Sequence, residues 1–115
     1  NKKTCQIADV RTEPYKVTVQ LMGAEPMLFA RAAKTVEALG AARIDINMGC
    51  PVRKIISSKA GAFLMTDLKT AAQIIEQTVR ATDLPVSVKF RTGWDLQHIN
   101  AVEFAQMCEK SGAGH

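Results

Sequence analysis

Cys50 stands in the stretch of this chain best suited to chemistry, Asp45-Ile46-Asn47-Met48-Gly49-Cys50-Pro51. The stretch begins as a strand, with Ile44 and Ile46 on one face and Asp45 and Asn47 on the other. Gly49 then permits backbone geometry that other residues resist, and Pro51 rules out a helix starting at Cys50. A strand that stops to present a thiol beside a polar amide reads as the rim of an active site. An ordinary thiol, with a pKa of about 8.5, is mostly protonated at neutral pH and can act as an acid. A nucleophile or metal ligand would need a thiolate, and no base or second metal ligand stands at motif spacing here. The competing reading is a buried small hydrophobe, the usual fate of a free cysteine.

The elements around Cys50 alternate. Residues 16–22 form a strand ended by Gly23, and residues 43–48 and 86–91 form two more. Glu25 and Pro26 open a first helix with a stripe of Leu28, Phe29, Ala32, Val36 and Leu39, stopped by Gly40. A long connection over residues 49–65 precedes a second helix capped by Thr66 or Asp67, with Leu68, Ala71, Ile75 and Val79 inward. The third helix, about residues 99–111, is expected to bury Val102, Ala105 and Met107 or Cys108 before Gly112. This βαβαβα order implies an α/β fold with parallel strands joined by right-handed crossovers.

Parallel strands covered by helices are usually apolar on both faces, and these are not. Val17, Val19, Leu21, Ile44, Ile46, Val86, Val88 and Phe90 share one face. Thr18, Gln20, Asp45, Asn47, Ser87, Lys89 and Arg91 share the other. The most polar residues come late in each strand, which points to a ligand pocket at the carboxyl ends, as at the mouth of a (β/α)8 barrel. The bland alternative is an interior ion pair of Asp45 with Lys89.

Composition bounds the class. The chain has 115 residues, 47% of them hydrophobic, enough for at most one domain. No run approaches the roughly 18 to 20 apolar residues of a membrane span. Cys5, Cys50 and Cys108 form no C-x-x-C pair, and their odd number argues against a disulfide framework. Cys5 and Cys108 read as reduced thiols of a cytoplasmic protein. The net charge of +4 mildly favours a polyanionic partner. Beginning at Asn1 and stopping at His115 just after a helix, the chain reads as a piece of a longer protein.

The central stretch, a short spacer and Gly61-Ala62 together resemble the signature of the tRNA-dihydrouridine synthases. So do Val17 to Gly23 before it and Val88-Lys89-Phe90-Arg91-Thr92-Gly93-Trp94 after it. Order and spacing match the third, fourth and fifth strands of that family's flavin-binding TIM barrel, most like its bacterial B type. Residues 1–115 are then part of that catalytic domain, without its other strands or any C-terminal RNA-binding domain. One departure is local: the family often has an apolar residue where Lys59 precedes Ala60-Gly61.

The resemblance implies NADPH-driven, FMN-dependent reduction of the uracil 5,6 double bond in tRNA, with hydride going to one carbon and a proton to the other. It makes Cys50 the proton donor and Asn47 the amide that holds the base near it. Gln20 becomes a flavin-ring contact. Lys89 stands beside the flavin, where a fixed ammonium stabilises negative charge on the reduced ring. Arg91 could reach substrate or phosphate, or form an ion pair instead. Arg53, Lys54 and Lys59 form a basic loop suited to a tRNA backbone through counterion release, or simply a solvated one. Two rivals remain: another flavin barrel of the dihydroorotate dehydrogenase type, and a catalytically silent RNA-binding remnant. Gly49-Cys50-Pro51, Arg53-Lys54 and Arg91 to Trp94 favour the tRNA enzyme over the first. Intact Gln20, Asn47, Cys50 and Lys89 argue against the second.

Overall fold

Three strands, each followed by a helix, make up the frame of residues 9–114, which the computed structural model describes. β1 (Thr18–Leu21) leads to α1 (Pro26–Ala38), and β2 (Arg43–Met48) to α2 (Arg53–Ser57). A 3-10 segment (Gly61–Thr66) and α3 (Leu68–Ala81) follow, then β3 (Val86–Phe90) and α4 (Ala101–Lys110). Cys5 lies outside the described residues.

The strands form one parallel sheet in the order β1-β2-β3. Register sets Gln20 beside Asp45, Asp45 beside Ser87, and Asn47 beside Lys89. The period-2 division of faces holds: Ile44, Ile46 and Met48 are fully buried, while Asp45 and Asn47 are only half-buried. The apolar face lies under the helices and the polar face is open. Chain re-entry into the sheet follows one pattern. Ala42 N–H donates to Val17 C=O (2.9 Å), and Gly114 N–H donates likewise to Val86 C=O (3.0 Å). By the alternation of a parallel ladder, that second bond lies on the edge of β3 away from β2.

Local signals explain the helix ends. Pro26 occupies the first turn of α1, and Gly40 leaves it with φ of 95°. Asp67 caps α3 by accepting from Thr70 N–H (3.1 Å) and from the Thr70 hydroxyl (2.7 Å), which holds its carboxyl below the usual carboxylate range.

Three sequence expectations need correction. Leu28 (53% exposed) and Val102 (73%) do not belong to the buried stripes, and Ala105 is exposed too. α4 buries Phe104 in place of Val102 and Ala105, and Cys108, one of the two residues expected at its end, is buried with it. The larger Phe104 meets Phe90 across the layer, ring centroids 5.0 Å apart, and two stripes one residue apart look alike in sequence. Residues 49–65 are not an irregular connection but contain α2 and the 3-10 segment. A helix of barely more than one turn is too short to show a period. Gly49 does not take up left-handed backbone; Gly40, Gly61 and Gly112 do.

Candidate active site

The open face is tied together by side-chain hydrogen bonds that cross all three strands. Ser87 Oγ donates to Asp45 Oδ1 (2.6 Å), and Gln20 Nε2 donates to Asp45 Oδ2 (2.6 Å). Asn47 Nδ2 donates to Gln20 Oε1 (3.1 Å). Asn47 Oδ1 accepts from the backbone N–H of Gly49 and of Cys50, each at 3.0 Å. That last pair is an Asx-type turn: a short amide side chain satisfies the N–H groups that the ending strand no longer pairs. Cys50 is half-buried and free.

The far side of Cys50 is fixed by Gly61-Ala62. Ala62 N–H donates to Cys50 C=O (2.9 Å). Gly61 has φ of 59°, and a Cβ there would stand 2.6 Å from Cys50 O and 2.8 Å from Ile55 Cγ2. The glycine this site requires is therefore Gly61. At Gly49 a Cβ would make ordinary contacts, 3.4 Å from Arg91 Cγ. Between the two anchors, α2 ends in a Schellman motif. Ala60 N–H bonds Ile55 C=O (3.2 Å) and Lys59 N–H bonds Ile56 C=O (2.9 Å), with Lys59 in the left-handed position at φ 63°.

The structure brings Gln20, Asn47 and Cys50 into one bonded set and places Lys89 beside Asn47 on the neighbouring strand. Lys89 and Arg91 are exposed, Arg91 lying just past the end of β3. Among the described residues neither makes an ion pair, so the pairing of Asp45 with Lys89 does not form. Asp45 is engaged by Gln20 and Ser87 instead. Arg53 and Lys54 are exposed on the first turn of α2 and do not join the set. Trp94 packs edge-on to Phe63, centroids 6.3 Å apart. Asp45 and Ser87 are the members that sequence reasoning placed on the face without giving them this bonding; their signal was the shared alternation.

The other described cysteine is a contrast. Cys108 is 5% exposed, and burial pushes its thiol up to about 11. Among the described residues no cluster of His, Cys, Asp and Glu is arranged to hold a metal. None of the described helices is long and apolar enough to cross a membrane.

Comparison with known proteins places these features in a family. The dihydrouridine synthase (Dus) family model matches residues 1–115. A protein of Xanthomonas campestris named tRNA-dihydrouridine synthase B is 41% identical over 111 residues, 96% of this chain and 33% of that protein. Its namesake in Pseudomonas aeruginosa is 43% identical over 106 residues, 92% of this chain and 31% of that one. A Rickettsia conorii protein named "Probable tRNA-dihydrouridine synthase" is 46% identical over 105 residues, 91% of this chain and 32% of its own length. The chain thus spans about a third of the curated relatives it matches.

Proposed function

From the premise that this chain belongs to the dihydrouridine synthase family, we propose that the whole protein reduces uridine in tRNA to 5,6-dihydrouridine, as a B-type enzyme using FMN and NADPH. The observation that carries the reading is the backbone of Cys50 held by Asn47 and Gly61-Ala62 at the open, carboxyl end of parallel strands.

The residues present suit a flavin. With their bonds to Asp45 and Gln20 made, Gln20 Nε2 and Asn47 Nδ2 each retain one N–H, and Lys89 adds an ammonium. Such a row of donors matches the carbonyl and ring-nitrogen edge of an isoalloxazine or a uracil. Bound there, FMN recharged by NADPH would supply hydride chemistry for one carbon of the uracil double bond. Cys50 Sγ–H gives the proton to the other carbon. Asn47 holds the base near the thiol, Gln20 and Lys89 hold the flavin ring, and Arg91, Arg53 and Lys54 meet the tRNA, which makes the cytoplasm the place of action. The three strands are then strands 3–5 of a (β/α)8 barrel. The entry bond of Gly114 on the far edge of β3 and the exposed Leu28 and Val102 suit neighbouring units on either side.

The test uses the full-length protein. Cys50→Ala should keep bound flavin and a near-normal rate of flavin bleaching by NADPH, while dihydrouridine formation falls about 10²- to 10⁴-fold, the usual contribution of a positioned acid. Cys50→Ser should be nearly as poor, a hydroxyl being a far weaker acid. Product formed at the normal rate by the Ala variant would count against the reading, as would loss of flavin together with loss of folding.

A further inference from the structure

The bonds on the open face have a direction. A carboxylate accepts and does not donate, so Asp45 turns Gln20 Nε2 toward itself. Gln20 Oε1 is thereby left facing Asn47, which must answer with Nδ2. Only Asn47 Oδ1 then remains for the N–H groups of Gly49 and Cys50. Reversing either amide would set donor against donor, and at Asn47, which is half-buried, would leave polar groups unsatisfied. Ser87 Oγ occupies the other Asp45 oxygen and steadies the carboxylate.

We propose that Asp45 is a positioning residue: its carboxylate sets the orientation of the Gln20 and Asn47 amides, and through them the turn that presents Cys50. Asp45 lies three hydrogen bonds from Cys50, by way of Gln20 and Asn47, and has both oxygens engaged, so it acts through its neighbours. The purpose of this relay rests on the reading of Cys50 as the reacting group. Its existence does not, and the test reads thiol chemistry instead of product.

The full-length protein, as isolated, would be alkylated with iodoacetamide, and Cys50 and Cys108 followed separately by peptide mass spectrometry. Asp45→Ala should raise the alkylation rate of Cys50 by about fivefold, the effect of losing about one net hydrogen bond of restraint. Cys108, buried in the core, should stay unchanged and so report that the fold has not opened. The decisive arm moves the charge along the relay. In Asp45→Asn with Gln20→Glu, the new carboxylate at position 20 accepts from both asparagine amides, and Oδ1 at position 45 accepts from Ser87. Orientation is restored, and Cys50 should return to within about twofold of its native rate. Gln20→Glu alone sets two carboxylates side by side and should be among the most perturbed. Such recovery is non-additive by construction.

Alkylation of Cys50 that stays native in Asp45→Ala would overturn the relay. So would a rise shared by Cys108, or additive effects in the double variant. Should Asp45→Ala not fold, the near-isosteric cycle carries the test alone. Product made by Cys50→Ala sinks the proton-donor reading and leaves the relay; unchanged Cys50 alkylation sinks the relay and leaves that reading.

Discussion

β2 carries two different kinds of order on its two faces. Ile44, Ile46 and Met48 have no exposed surface and are held by shape, each touching apolar neighbours that could in part be exchanged. Asp45 and Asn47, interleaved with them, are half-exposed and held by named atoms: two carboxylate oxygens and both ends of one amide. Packing tolerates substitution by degrees, whereas a directional bond is made or lost. One strand thus couples a face that supplies stability to a face that supplies position.

The comparison breaks most visibly at Ile46. Ile46→Ala should destabilise the full-length protein by about 2–5 kcal/mol, the usual cost of such a core truncation. Asn47→Ala should cost about 1–2 kcal/mol, because its bonds are partly solvated and water can replace some of them. Chemical denaturation of both variants checks this. Equal losses would mean that the open face is as structural as the covered one.

How far these two kinds of order show in a sequence also differs. Period two was enough to separate the faces of all three strands, and Pro26 and Gly40 marked helix ends by their own chemistry, while Asp67 was one of two candidate caps with Thr66. Gly61-Ala62 belonged visibly to the motif, yet only the approach of Gly61 to Cys50 O explains why. The bonding of Asp45 was hidden, because it depends on cross-strand register: Gln20 and Ser87 become its neighbours only when β1 and β3 flank β2. An ion pair with Lys89 was the simpler expectation from charge alone. The phase of α4 was lost for a similar reason, since Val102 and Phe104 are both apolar and Phe90 decides between them.

At Gly61 the two kinds of order meet, since a backbone conformation there is enforced by a close approach to the site. Gly61→Ala would put a methyl into Cys50 O and Ile55 and strain a left-handed residue. The strain alone is worth about 1–2 kcal/mol, and the total should exceed it. Thermal denaturation reads that loss, and Cys50 alkylation should change in the same variant. A stability loss with native Cys50 reactivity would separate the loop from the site.

A smaller effect belongs to Asp67, on the helix side. Asp67→Ala removes the cap of α3 and should cost about 1 kcal/mol. The carboxyl is lowered by its bonds to Thr70, so its contribution is fully present above the ordinary carboxylate value of about 3.9. It is lost as pH falls through the lower value of the folded protein. Between neutral pH and pH 5 the difference between wild type and Asp67→Ala should therefore stay constant, and shrink only in more acidic solution.

Lys59 offers the finest test, because there stability and position predict opposite signs. It occupies the left-handed position after α2 at φ 63°, where glycine is the usual residue. The Schellman bonds from Lys59 and Ala60 hold it there against its own preference. Lys59→Gly should keep both bonds, relieve the strain and raise stability by about 1 kcal/mol. If the ammonium also meets a tRNA phosphate, the same variant should bind tRNA more weakly, and the slope of log affinity against log salt should fall by roughly 0.7 to 0.9, the share of one phosphate contact. Greater stability with an unchanged slope would leave Lys59 a solvated residue in a strained place. Greater stability with a shallower slope would show a strained conformation kept for the charge it carries.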